Sequence, residues 1–286
     1  MEVHRSPSVE GFLSEVGDFL SLREAEHSLL FGICSGLARD GLELENGAPY
    51  MVHVEDKGRI VAAAVRTPPH GLVLSLVDEP TALELIAADA KSVYGRLPGV
   101  LGPKEAVPWF ALVWEKLSGQ KGRLLRHERI FQCDSVVSPP QVPGCMREAQ
   151  EDESNLLVEW TVAFQAEALR EEPEHALKAE SAVAHRVRDP SGGFCVWDDD
   201  SVVSMAGYGG RTPRGIRIAP VYTPPHRRRR GYASALVAEL TQQLLDGGRS
   251  YCFLFTDLSN PISNRIYGRV GYRAVSDVDE YAFVEA

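Results

Sequence analysis

The chain has 286 residues, of which 44% are apolar and 24% charged, as in ordinary soluble globular proteins that bury a core of their own. Its net charge of −10 argues against a protein that coats nucleic acid or binds membranes through a basic surface. No apolar run approaches the ~18 residues of a membrane-spanning helix, and the N-terminus lacks the apolar stretch of a signal peptide.

The length favours two domains, at roughly 150 residues each. The five cysteines are widely spaced and form no CxxC pair, and the eight histidines show no pair at the spacing of a metal site. Neither a disulfide framework nor a metal is therefore expected. A reduced, cytoplasmic location is the simplest interpretation.

The first half alternates strand and helix patterns. Its predicted elements, in chain order, are strands at 50–54, 60–65 and 72–75, helices at 82–94 and 103–117, and a strand at 124–131. A break follows at 138–144, where three prolines and a glycine resist both helix and central strand. This break predicts an N-terminal domain at 1–138, a linker at 139–145 and a C-terminal domain at 146–286.

The second half has a similar pattern. Its predicted elements are a helix at 146–168, a hairpin at 193–197 and 202–208, a strand at 216–222, a helix from Gly231 to Asp246, a strand at 251–256, a short helix from Asn260 to about Val270, and a strand at 281–284. Strands that alternate with helices in this way indicate a fold of α/β layers with a covered sheet.

The two halves share the tripeptide Arg-Thr-Pro, at 66–68 and 211–213. In each half it follows a predicted hairpin and precedes a strand. Three identical residues can arise by chance, but the matched context favours one fold used twice. The first half has nothing like the arginine-rich turn of the second, since Asp78, Glu79 and Pro80 stand in its place.

The turn around Gly231 is the most informative site of the sequence. A strand ends at Tyr222, and a basic turn leads directly into a helix. The unpaired N–H groups and positive dipole end of a helix start favour anions such as a pyrophosphate. Gly231 lets backbone approach a ligand, and the arginines at 228–230 add charge-assisted contacts. The turn is neither a Walker loop nor a GxGxxG motif.

The segment 228–233, Arg-Arg-Arg-Gly-Tyr-Ala, fits the pattern [Q/R]-x-x-G-x-[G/A]. With the preceding strand, the helix GYASALVAEL, the strand YCFLFTDL and the segment NPISNRIYGRVGY, it resembles motif A and its surroundings in the GNAT superfamily of acyl-CoA-dependent N-acetyltransferases. The resemblance covers about 202–283. It implies an α+β fold, a GNAT-like mixed twisted sheet flanked by helices. Together with the repeat of Arg-Thr-Pro, it predicts two tandem copies of this fold, the first one degenerate. Arg229 departs from these relatives, which often carry glycine there.

The resemblance implies roles at named positions. Backbone groups at the end of a strand would pair with the pantetheine arm of acetyl-CoA, the N–H groups of 229–234 would hold its pyrophosphate, and Asn260 would bond the arm. The implied cofactor-binding residues are Val221, Tyr222, Thr223, Arg228, Arg229, Arg230, Gly231, Tyr232, Ala233, Ser234 and Asn260. Tyr267 would be the catalytic acid that protonates the departing thiolate.

Each role has a plainer alternative. The arginines could be an exposed charge cluster, Asn260 a bare helix cap and Tyr267 a core aromatic. Trp160 and Phe164 could line a substrate pocket or only pack. The base that takes the amine's proton is not singled out, and the candidates are Glu167, Glu171, Glu172 and His226, each of which could be a solvated surface group.

The expected activity is transfer of an acetyl group from acetyl-CoA to a primary amine by direct attack in a ternary complex. The alternatives are a non-catalytic acyl-CoA sensor or scaffold, and an acyltransferase that uses a longer acyl-CoA. The expected partners are acetyl-CoA and an unidentified amine, with no nucleic acid or membrane, and a homodimer is left open. The N-terminal copy would shape the acceptor site or a dimer face.

Overall fold

The computed structural model describes residues 1–40, 47–169 and 176–285. The chain forms two compact units. The first comprises Met1–Ile130, Asp257–Ser259 and Val275–Ala286, and the second comprises Phe131–Thr256 and Asn260–Ala274. Among the described residues, no helix combines the length and apolarity needed to cross a bilayer.

The secondary structure repeats one order twice. The elements of the first copy are β1 (Glu2–Arg5), α1 (Val9–Ser21), α2 (Ser28–Asp40), β2 (Tyr50–Asp56), β3 (Arg59–Arg66), β4 (Leu72–Leu74), α3 (Thr81–Tyr94), β5 (Gly99–Pro103), α4 (Val107–Ser118) and β6 (Lys121–Cys133). Those of the second are β7 (Cys145–Glu148), α5 (Ser154–Phe164), α6 (Ala176–Arg188), β8 (Gly193–Asp198), β9 (Val202–Gly209), β10 (Gly215–Tyr222), α7 (Tyr232–Asp246), β11 (Tyr251–Asp257), α8 (Pro261–Val270) and β12 (Arg273–Val284). The expectation of one fold used twice is confirmed.

In the first unit the strand order is β1-β2-β3-β4-β5-β12-β6. Strands β4 and β5 are parallel, and β12 runs antiparallel to β5, from Val278 opposite Pro103 to Ala282 opposite Gly99. Strand β3 is buried on both faces because helices cover both sides of it, and its side chains point alternately to one side and the other. Ala62 and Ala64 pack in the cluster that contains α3 and α4, whereas Ala63 and Val65 pack against α1 and α2.

In the second unit the strand order is β11-β10-β9-β8-β7, with β10 and β11 parallel. Strand β8 alternates like β3. Cys195 and Trp197 pack with helix α7, whereas Phe194 and Val196 pack with α5 and α6. Each unit is thus a sheet with helices on both faces, as the sequence predicts.

Three predicted elements differ from the structure by four residues or more at their first residue. The helix predicted at 146–168 is wrong at its start, since Cys145–Glu148 form strand β7 and α5 begins only at Ser154. The helix predicted at 103–117 begins at Val107, because Gly99–Pro103 form strand β5. The strand predicted at 281–284 is the end of the longer β12. Helix α6 and the elements before β2 were not predicted.

The compact units divide the chain differently from the predicted domains. The segment predicted as a linker, 139–145, lies in the second unit, and most of β12 lies in the first. The physical reason is strand pairing, since the ladder of β12 with β5 completes the sheet of the first unit. The cut at 139–145 stays a prediction about which segments are domains.

Candidate functional site

Strand β10 loses one of its neighbours before it ends. Its parallel register with β11 ends at Arg217, opposite Phe253, whereas the strand continues to Tyr222. Its antiparallel register with β9 shifts between Ile218 and Val221, at a bulge that contains Pro220. Proline has no N–H for a ladder, and a bulge bends a strand. The end of β10 therefore leaves its β11 side open to a ligand backbone.

The turn after β10 requires the left-handed backbone region at two positions. Gly231 has φ +88° and stands directly before α7, and a Cβ added there would lie 2.8 Å from Val142 Cγ1. Arg229 has φ +64°, although an L side chain rarely adopts this region. A glycine at this position would adopt such a φ without strain.

The start of α7 presents unpaired donors. The first bond into the helix runs from the N–H of Ala235 to the carbonyl of Gly231. In the described part of the chain, no acceptor is bonded to the N–H groups of Tyr232, Ala233 or Ser234, as expected for a helix start. Arg229 and Arg230 are exposed, and neither makes an ion pair with a described residue. These groups can bind a phosphate.

Arg228 is held by three partners. Its guanidinium donates to the carbonyl of Thr223 at 2.8 Å and to Glu167 Oε2 at 2.6 Å, and it lies 5.6 Å from the centre of the Tyr222 ring. The Tyr222 hydroxyl donates to the other oxygen of Glu167 at 3.2 Å. Burial, and then the charge of Glu167, raises the pKa of this hydroxyl, so it stays protonated and donates. The network fixes the turn against the end of β10.

Two of the predicted pantetheine contacts already have partners. The Tyr222 carbonyl accepts from Ser204 Oγ at 3.1 Å, and the Thr223 carbonyl accepts from Arg228. Ser204 is fully buried and also shares a hydrogen bond of 2.8 Å with Thr223 Oγ1. The Tyr232 side chain is buried and donates to Asp199, which leaves only its N–H for a ligand. Ser204 and Asp199 position the site but carry no motif signal.

Helix α8 carries the remaining two predicted residues. The carbonyl of Asn260 accepts from the N–H of Asn264 at 3.3 Å, so Asn260 is the residue that starts the helix. The Tyr267 ring packs near Phe131 and Tyr272, at 6.5 and 5.9 Å between ring centres. Its hydroxyl has no hydrogen bond to a described residue, and burial raises its pKa to about 12.

The candidate bases differ in their surroundings. Glu167 bonds to Arg228 and Tyr222, which gives it a positioning role in this arrangement. His226 is exposed in a short 3₁₀ turn before the arginines. Glu171 and Glu172 lie outside the described residues. Trp160 is buried, with its ring 6.0 Å from that of Tyr222, so it packs behind the strand that carries the site.

Residues 154–272 match the model of the acetyltransferase (GNAT) family. These residues form a GNAT domain. The match begins at the first residue of α5 and includes the bulged strand β10, the Arg228–Ser234 turn and Tyr267. No curated protein matches the chain in sequence.

Solved structures with the same fold span nearly the whole chain. A GCN5-related N-acetyltransferase from Sphaerobacter thermophilus is 18% identical with a TM-score of 0.59, and the match covers 98% of this chain and 94% of that one. A GNAT-family acetyltransferase from Colwellia psychrerythraea is 12% identical with a TM-score of 0.54, over 99% of this chain and 100% of that one. A tandem GNAT protein from the clavulanic acid biosynthesis pathway is 11% identical with a TM-score of 0.52, over 99% of this chain and 97% of that one. The first unit therefore shares the GNAT-like fold.

The first unit differs from the GNAT domain at the turn between the strand and the helix that correspond to β10 and α7. Its counterpart of β10 is β4, which ends at Leu74, and its counterpart of α7 is α3. Helix α3 follows Pro80, which offers no side-chain cap, and Asp78 and Glu79 precede it. Two carboxylates before a helix repel a phosphate. The fold is repeated, whereas the basic turn occurs in the second copy.

Proposed function

We propose that the GNAT domain transfers an acetyl group from acetyl-CoA to a primary amine by direct attack within a ternary complex. The observation that carries this proposal is the Arg228–Ser234 turn at the open end of β10. Among the described residues, neither the first N–H groups of α7 nor the exposed Arg229 and Arg230 have a partner. A pyrophosphate on this turn places the pantetheine arm along the strand, with Asn260 as a further donor or acceptor to the arm.

The chemistry needs two proton transfers. The neutral amine attacks the thioester carbon, an amide bond forms and the carbon–sulfur bond breaks, so that the amine loses a proton and the sulfur gains one. We assign the second transfer to Tyr267. Because its pKa is raised to about 12, the phenol keeps its proton at neutral pH and is available as a donor.

The proton of the amine needs another acceptor. Glu167 is engaged by Arg228 and Tyr222, so we assign it to the position of the turn and not to proton transfer. His226 is the remaining described candidate, directly before the arginines. Water that reaches this open turn is an equally simple acceptor.

The test is an assay of thiol release with acetyl-CoA and a library of primary amines. The proposal expects free CoA to appear only when an active amine is present, together with an equal amount of acetylated amine. Binding of acetyl-CoA without turnover by any amine contradicts the enzyme and supports an acyl-CoA sensor. Faster turnover with longer acyl-CoA contradicts the choice of acetyl, since the turn contacts only the CoA part.

A further inference from the structure

A cluster of histidines and carboxylates lies in the first unit, outside the proposed acyl-CoA site. Strands β1 and β2 pair antiparallel, with His4 directly opposite His53 and Glu2 directly opposite Glu55. Because side chains two residues apart share one face of a strand, these four side chains lie on the same face of the sheet. Helix α1 brings Glu15 to the cluster, and Ser6 Oγ donates to its carboxylate at 2.7 Å.

Two imidazole nitrogens in this cluster make no hydrogen bond to a described residue. They are His4 Nε2 and His53 Nδ1, and both are buried from solvent. The carboxylate oxygens nearest to them are Glu2 Oε2, 3.9 Å from His4, and Glu15 Oε2, 3.6 Å from His53. Both distances exceed a hydrogen bond. Since buried polar atoms are nearly always satisfied, the two nitrogens call for a partner.

The spacing of the groups fits a metal ion. One ligand atom each from His4, His53 and Glu55 can be chosen so that all three lie within 4.8 Å of one another. A tetrahedral Zn²⁺ with bonds of about 2.0–2.1 Å holds its ligand atoms about 3.4 Å apart. Small rotamer changes of Glu55 and the half-exposed His4 would close the remaining gap. The two rings already stack at 5.1 Å with an angle of 19° between them.

We propose that His4, His53 and Glu55 bind a divalent transition metal ion, with Zn²⁺ as the reference ion and a fourth position open to water. Two imidazoles favour Zn²⁺, Ni²⁺ or Cu²⁺ over Mg²⁺ and Ca²⁺, which prefer oxygen ligands alone. Glu15 and Glu2 add negative charge beside the ion, which strengthens the attraction for a cation. The site joins the edge strand β1 to β2 and lies within one unit.

The test is a calorimetric titration of the full-length, untagged, metal-stripped protein with ZnCl₂. The protein carries Cys145→Ser, because the exposed thiol of Cys145 could bind Zn²⁺ by itself. The proposal expects one saturable site per chain. His4→Ala and Glu55→Gln should each weaken Zn²⁺ binding at least about 10- to 100-fold, the cost of losing even an outer partner of a metal site. Glu10→Gln, at an exposed position of α1, is the matched control and should bind as the parent does.

The melting temperature of the metal-free variants separates binding from folding. Glu55→Gln keeps the size of the side chain, so its melting temperature should equal that of the parent while its Zn²⁺ affinity falls. Lack of saturable binding by the parent overturns the proposal. Equal Zn²⁺ affinity of the parent and both ligand variants overturns it as well.

Discussion

The turn before α7 combines a residue that suits its backbone with one that does not. Gly231 satisfies a positive φ at no steric cost, whereas Arg229 adopts a positive φ despite its side chain. The sequence predicted that Gly231 approaches a ligand, because its motif and helix start are local signals. It could not predict that Val142 packs beside this glycine, since the two are far apart in the chain.

Gly231→Ala should weaken both the fold and cofactor binding. The left-handed φ costs an L residue about 1–2 kcal/mol, and the new methyl group would press on Val142. We expect the free energy of unfolding to fall by about that amount in urea denaturation, and the acetyl-CoA affinity to fall about tenfold or more in calorimetry.

Gly248→Ala is the matched control for this variant. Gly248 also has a positive φ, of +93°, but a Cβ there meets open space at the far end of α7. It should lose about 1 kcal/mol of stability and keep its acetyl-CoA affinity. An equal loss of affinity in both variants would show that the Gly231 effect is not local to the turn.

Arg229→Gly should change stability and affinity in opposite directions. Glycine removes about 1–2 kcal/mol of strain and costs about 0.5–1 kcal/mol through the added chain entropy of the unfolded state, so stability should rise by up to about 1.5 kcal/mol. Loss of the guanidinium should weaken acetyl-CoA binding about tenfold. Arg230→Gly, which has no such strain to relieve, should lose both affinity and stability; a rise in its stability would contradict this account.

At the scale of elements, the site depends on the positions of β10 and α8 in the fold. Periodicity and caps predicted β10, α7, β11 and α8 within a few residues, because each has a local signal. Strand β5 was missed because it contains two glycines and a proline, and these residue types are rare in strands. The structure supplies the reason for one of them, since a Cβ on Gly99 would run into the carbonyl of Tyr281 on β12. Close approach of a distant strand leaves no periodic signal.

Tyr267→Phe should separate turnover from binding. Helix α8 presents this hydroxyl without a hydrogen-bond partner among the described residues, so its loss removes the proposed acid and little else. We expect turnover to fall about 100-fold, the lower range for a general acid, with acetyl-CoA affinity within about twofold. Tyr272→Phe is the control, because it breaks a buried 2.7 Å bond with Thr241. It should cost about 1 kcal/mol of stability and leave turnover unchanged; equal turnover of Tyr267→Phe and the wild type would refute the acid role.

At the scale of the whole molecule, the compact units are not continuous in sequence, because the first unit contains residues from both ends of the chain. The repeat of Arg-Thr-Pro predicted the duplicated fold, but it could not predict that the last strand joins the first unit. The evidence for that lies in pairing and packing, since β12 pairs with β5 and Phe283 is buried beside Trp114, at 5.9 Å between ring centres. The proposed metal site has no local sequence signal either, because strand pairing brings His4 and His53 together from distant positions.

Phe283→Ala should destabilise the first unit although it lies near the end of the chain. Loss of a buried phenyl ring costs about 3–5 kcal/mol. Hydrogen exchange should show the largest loss of protection in peptides from residues 1–130. Val284→Ala, at a side chain that is 43% exposed, should change little. Loss of protection confined to residues 146–286 would support the sequence-based domain cut instead.

The central claim is that the basic turn of the GNAT domain binds the CoA part of an acyl-CoA. Isothermal titration of the full-length protein with acetyl-CoA tests it most directly. The account predicts one saturable site per chain, with an affinity that falls as salt increases because exposed arginines contact phosphate. It also predicts that free CoA competes for this site and that Gly231→Ala weakens binding. Absence of heat and of competition by CoA, in protein shown to be folded, would contradict it.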